Sequence, residues 1–233
     1  MRRLTTLATL LATACVSGPQ LPPMRVTTLP IVERLAQTER LDCHGTSGNG
    51  EFGSRYGRSA ILRSDDGARA AYTEVEAIAT SWNEGETRAC RNISRLWVSS
   101  GGSEWRKAFE QNPGAEGRNG NSLRIVDWSP DGGSLLLELQ TWTYHVDQEN
   151  PLILVHELDS GRTIHTGIEA LLRERHGGDC DMALEPIGFS PEGDVVVRTV
   201  PGGKRFARPP CTDETTIWRY DVAGERIEAM PGG

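Results

Sequence analysis

Two short runs in this chain carry residue types with known chemistry. His156-Glu157 opens like H-E-x-x-H, in which two imidazoles one helical turn apart hold zinc and the glutamate activates water. Position 160 is Ser, however, and the surrounding run over 152–158 has strand composition, so this chemistry is excluded. Gly48-Asn49-Gly50-Glu51-Phe52-Gly53 has the spacing of a dinucleotide-binding loop. No apolar strand precedes it and no helix opens after it, so it reads as a loop. There is no G-x-S-x-G nucleophile elbow. Asp65, Asp66 and Asp131 lack D-x-D-x-D-G calcium spacing, and turn chemistry accounts for them. Asn92-Ile93-Ser94 is a formal glycosylation sequon that chance explains in a chain with a bacterial-style leader. A hydrolase of the exported propeller type would need carboxylates such as Glu76, Asp147, Asp181 or Glu185 to converge in one pocket. No catalytic residue, metal or cofactor is assigned.

Cysteine is the other chemically informative residue. Cys15 stands apart near the N-terminus, leaving Cys43, Cys90, Cys180 and Cys211 as an even set with three possible pairings. An oxidising compartment favours disulfides over metal thiolates. Cys180 and Cys211 flank the last strand-rich unit, so the expected bridges are Cys43 to Cys90 and Cys180 to Cys211. Zinc is the alternative, but there is no C-x2-C pair, and His44 and His176 are near cysteines only in sequence.

The N-terminus gives the reason to expect that compartment. Arg2 and Arg3 precede an apolar stretch, residues 4–14, that is too short to span a bilayer and reads as a signal peptide. Ala12-Thr13-Ala14-Cys15 fits either a small-x-small cleavage site or an imperfect lipobox in which Cys15 is acylated. Residues 16–30, rich in Ser, Gly, Pro and Thr, suit a flexible tether and favour the lipid anchor. Val16, where an Asp would signal retention at the inner membrane, points to the outer membrane. The expected organisation is a signal peptide over 1–14, a lipoprotein tether over 15–39 and one domain over 40–233. The net charge is -7, and signal removal takes two arginines with it. Such acidity argues against nucleic acid or an anionic membrane surface as partner, so membrane contact is expected only through the lipid.

The elements that position these residues are strands joined by tight turns. Trp128-Ser129-Pro130-Asp131-Gly132 and Phe189-Ser190-Pro191-Glu192-Gly193 each sit between short apolar runs, 123–126 and 134–139 for the first, 186–189 and 195–200 for the second. Pro presets the second turn position and Gly takes the fourth, as a type I turn prefers. Further strands at 152–158 and 215–221 lead into turns at Asp159-Ser160-Gly161 and Val222-Ala223-Gly224. A fainter copy, Arg63-Ser64-Asp65-Asp66-Gly67, precedes a strand at 68–75 and another at 95–98. Helices are expected only at 30–40 and 168–176, the latter with Gly177 as its C-cap.

With these turns between strands, the chain resembles the propeller repeats of the TolB C-terminal domain over about residues 58–231. The resemblance implies four-stranded blades around an axis and a role in protein interaction in the cell envelope, with no catalytic residues. The expected fold is all-β and propeller-like, with about three four-stranded blades. Propellers usually close with four to eight blades. Three leave an incomplete propeller, a ring closed by strands from 40–60, or one completed in a homodimer.

Propeller loops gather at one end, so the candidate binding loops are those between the second and third strands of each repeat. Trp142, Tyr144, His145 and Asp147 lie on one, and Lys204, Arg205, Phe206 and Arg208 on its equivalent. Aromatic residues beside charges suit a protein or glycan partner. The plainer reading has Trp142 and Tyr144 alternating along a strand to cover the sheet. The function expected is a non-enzymatic envelope lipoprotein that binds such a partner; the alternative is the exported hydrolase.

Overall fold

A computed structural model describes residues 41, 43, 55–83, 87–101, 104–113, 119–143, 146–178, 180–201 and 209–230. They form three antiparallel sheets and one helix. The first sheet holds β1 (Arg55–Arg58), β2 (Leu62–Arg63), β3 (Arg69–Asn83), β4 (Thr87–Ser100) and β5 (Arg106–Gln111). The second holds β6 (Asn119–Trp128), β7 (Ser134–Thr143), β8 (Val146–Glu157) and β9 (Thr163–His165), and α1 (Ile168–Arg175) follows it. The third holds β10 (Met182–Phe189), β11 (Val195–Pro201), β12 (Thr216–Asp221) and β13 (Arg226–Ala229). In each sheet the strands pair in chain order, as a meander.

β1 and β2 are two pieces of one edge strand, because both pair with β3. Between them, the Ser59 N–H donates to the Thr73 carbonyl at 2.9 Å, and the Thr73 N–H donates to Ser59 Oγ at 2.9 Å. The first sheet is thus also four strands deep. The β1 segment adds to this sheet's own edge.

The three expected turns have one construction. The Gly67, Gly132 and Gly193 N–H groups donate to the carbonyls of Ser64, Ser129 and Ser190 at 2.9, 2.8 and 3.0 Å. All three glycines have positive φ, which glycine adopts without steric cost. Each serine hydroxyl also accepts a backbone N–H from the start of the next strand, from Arg69 at 3.0 Å, Ser134 at 2.8 Å and Asp194 at 3.2 Å. The first copy, which lacks the proline and the aromatic residue, therefore forms the same turn.

Two apolar interfaces hold the sheets together. Leu135, Leu137 and Leu139 of β7 face the first sheet and pack with Leu96 and Val98. Leu136 points the other way, against Phe189, Val195, Val197 and Trp218 of the third sheet. Burial of both faces explains why β7 reads as a continuous apolar run and not as an alternating one. α1 contributes Ile168 and Leu172 to the second interface and stops where expected. Gly177, at φ 90°, donates to the Glu174 carbonyl at 3.1 Å, and Gly178 donates to that of Arg173 at 2.7 Å.

Both expected disulfides are present. Cys43–Cys90 closes a separation of 47 residues, and Cys180–Cys211 one of 31. By chain entropy each contributes about 3–4 kcal/mol. The second ties the entry of β10 to the segment before β12, alongside bonds of 2.8 Å from the Asp181 N–H to the Pro209 carbonyl and from the Cys211 N–H to the Asp181 carbonyl.

One polar contact joins the second and third sheets. Asp127 Oδ2 accepts the Phe189 N–H at 2.9 Å, and a Cβ on Gly188 would lie 2.7 Å from that oxygen. Asp127→Ala and Gly188→Ala are each expected to lower unfolding free energy by about 1–3 kcal/mol in urea denaturation. Because both break the same contact, the double variant should lose clearly less than the sum of the two.

His156 is fully buried at the interface of the first two sheets, with Nδ1 2.9 Å from Thr163 Oγ1. Burial, and then the Arg106 guanidinium, hold its imidazole below the usual 6.5, while Glu157 pulls the other way. On acidification the unfolded chain therefore takes up this proton first. The neutral ring's contribution is present above pH 6.5 and is lost as the pH falls below it. Urea midpoints should drop on acidification from about pH 7.5 to about pH 5, and should drop less in His156→Gln. Equal slopes in the two proteins would contradict this role.

Candidate functional site

Most of the loop residues singled out in the sequence, namely Tyr144, His145, Lys204, Arg205, Phe206 and Arg208, lie outside the described residues, as do Cys15 and the 30–40 segment. Trp142 is 4% exposed and pairs across the ladder with Gly120. Its indole occupies the space a Cβ on Gly120 would need, so the ring covers the sheet. Among the acids, Glu76 pairs with Arg95 on the first sheet at 3.0 Å, and Glu185 pairs with Arg198 on the third. The second sheet lies between them, so these two carboxylates share no pocket. Asp181 sits in the bridge to Pro210, and the side chain of Asp147 lies outside the described residues.

The structure instead assembles an aromatic, charged surface on the outer face of the first sheet. Side chains alternate along a strand, so Tyr72, Glu74 and Glu76 of β3 point away from the core side that Ala71 occupies. The register sets Trp97 opposite Tyr72, Arg95 opposite Glu74, and Arg58 of β1 opposite Glu74 from the other side. Tyr72 is the centre of the group. Trp97 lies parallel to it with ring centroids 6.3 Å apart, Trp105 meets it edge-on at 4.7 Å, and the Arg58 guanidinium sits 3.6 Å above the ring.

Polar contacts lock the group in place. Trp97 Nε1 donates to Glu74 Oε2 at 2.7 Å, and the Tyr56 hydroxyl donates to Glu74 Oε1. Arg95 bridges Glu76 and Glu110 at 3.0 Å each, and Lys107 reaches Glu110 at 2.8 Å. Arg95 and Lys107 thus offset the charges of Glu76 and Glu110. Tyr72 is only 7% exposed and Tyr56 is 58% exposed, while Trp97 and Trp105 are half-buried. Such a face offers ring surface and fixed hydrogen-bonding groups. The sequence signal was the alternation Tyr56-x-Arg58, Tyr72-x-Glu74 and Arg95-x-Trp97, which becomes a patch only once the strand register is known.

A concavity lies at the end of the sheets that carries the repeat turns. It is a cleft of about 360 Å³ between the Ser129–Gly132 and Ser190–Gly193 turns. Among the described residues, no group of three or more His, Cys, Asp or Glu is placed to hold a metal ion. No helix among them is long and apolar enough to cross a membrane. No family model matches the chain, and no curated protein matches it.

Burial and then Glu74 set the electrostatics of the tyrosines on the aromatic face. Partial burial, followed by the hydrogen bond to the Glu74 carboxylate and its charge, pushes the Tyr56 phenol up to about 12. The shift favours the neutral phenol, so what it contributes is lost only at strongly alkaline pH. In an ultraviolet titration compared against Tyr56→Phe, the Tyr56 transition is expected near pH 12, and Glu74→Gln should return it toward 10. A Tyr56 transition near 10 in the unmodified protein would show that Glu74 does not hold it.

Proposed function

We propose that this protein is a non-enzymatic cell-envelope lipoprotein of TolB-like propeller repeats that binds a protein or glycan partner through the outer face of its first sheet. The observation that carries the reading is the patch of Trp97, Trp105, Tyr72 and Tyr56 held by Glu74 and Arg58. Rigid aromatic rings present large contact area at low entropic cost, and pinned charges around them set orientation. The turn built three times over, at the same place in three meander sheets, supports the propeller-repeat reading.

In this reading the three sheets are blades stacked in chain order. The outer face of the third sheet is a row of ion pairs: Glu185 with Arg198, Arg219 with Asp194 and Glu228 at 3.5 Å, and Arg226 with Asp221 at 3.0 Å. That end face is thus polar, as a terminal unit of a stacked array needs to be. The two disulfides suit an oxidising compartment, in line with export and an anchor at Cys15.

The test is binding of isolated envelope glycans and envelope proteins to the full chain and to variants of the face. Trp97→Ala and Trp105→Ala should each cost about 2 kcal/mol, roughly thirtyfold in affinity, if these rings are the anchors. Binding that survives both substitutions unchanged would overturn the assignment of this face.

A further inference from the structure

The cleft between the turns of the second and third sheets has an apolar floor and an acidic rim. Val155 and Phe189, both buried, form the floor together with Ile164 and Val222. Among its lining residues the rim carries Asp131, Glu157 and Glu192 against one cation, Arg162, while Arg69, bonded to the Gly132 carbonyl, acts on Asp131 from beside the cleft. Arg162 is already engaged by Glu157, Nη2 to Oε1 at 2.8 Å, so it does not neutralise the rest of the rim. Asp131 is fixed as an acceptor by the Ser129 hydroxyl at 2.6 Å and the Gly133 N–H at 2.8 Å, which also hold its carboxyl below the usual range. At about 360 Å³ the space suits one or two side chains, not a folded domain.

We propose that this cleft seats a basic side chain presented by an extended segment of a partner protein, with its alkyl stem on the apolar floor and its cationic end at the carboxylate rim. Charge complementarity favours a cation, and the apolar floor favours one with a hydrocarbon body. A bare metal ion would leave the floor unused, and among the described residues no group of three or more His, Cys, Asp or Glu is placed to hold one. The site is separate from the aromatic face, at the sheet end where the repeat turns lie, so a single chain can engage both a face ligand and a basic segment.

The probe is a fluorescein-labelled hexapeptide, Ala-Leu-Lys-Leu-Lys-Ala, with a counterpart in which glutamate replaces both lysines, titrated by anisotropy against the full chain. The lysine peptide should bind, weaken as salt is added and outcompete the glutamate peptide. Glu192→Gln should weaken it about threefold, as expected for one exposed charge. Ala223→Phe, at an exposed position on the cleft wall, should block it, while Glu174→Gln on the outside of α1 should bind normally. Equal binding of both peptides, or undiminished binding by Ala223→Phe, would overturn the proposal. Displacement of the peptide by an equal concentration of spermidine would overturn its assignment to a protein segment, placing the site with free amines.

Discussion

The second sheet is covered on both faces, and that burial dictates the arrangement of everything around it. A strand buried on both sides cannot alternate polar with apolar residues, and Leu135-Leu136-Leu137 of β7 does not. The odd-numbered leucines need the first sheet, and Leu136 needs the third. Each buried leucine side chain is worth about 2 kcal/mol relative to exposure, so neither neighbour can leave without a large loss. Among the described residues the first and third sheets each have one neighbouring sheet, and each keeps its apolar core on the face turned toward it.

Spacing between the sheets rests on the turns. In all three the serine hydroxyl accepts the N–H that opens the next strand. The turns also reach one another. Arg69, just after the first, donates to the Gly132 carbonyl of the second at 2.6 Å, and Asp127, just before the second, accepts the N–H of Phe189 beside the third. β6 and β10 carry a register shift at matching places, Ile125/Asp127 and Pro186/Gly188, which aims the residues before each serine toward the neighbouring sheet. The same local device thus fixes both the hairpin and the stacking.

Much of this was legible in the sequence. Pro, Asp or Glu, and Gly at fixed offsets from Ser129 and Ser190 announced the turns, Gly177 announced the end of α1, and the even cysteine count with its spacing pointed to both bridges. The aromatic face was not legible, because Tyr56, Tyr72 and Trp97 come from three strands and meet only through register. Trp142 shows the converse. An aromatic residue next to a charged loop is conspicuous in a sequence, yet the glycine it covers sits across the ladder at position 120. The split of the first edge strand at Ser59 was equally hidden, since it depends on a paired bond with Thr73.

The outer faces of the first and third sheets differ. The outer face of the third sheet sets ion pairs among aliphatic side chains, whereas that of the first adds ring surface to its ion pairs. Exposed ion pairs contribute little to stability, so their value is to keep a face wetted and unassociated, while half-buried indoles are the usual anchors of recognition. The most direct test of recognition at the first sheet is hydroxyl-radical footprinting of the full-length protein, alone and in contact with isolated cell envelope. Protection concentrated on Tyr56, Trp97 and Trp105 is the predicted result. Unchanged labelling of those three residues, with protection elsewhere, would contradict it.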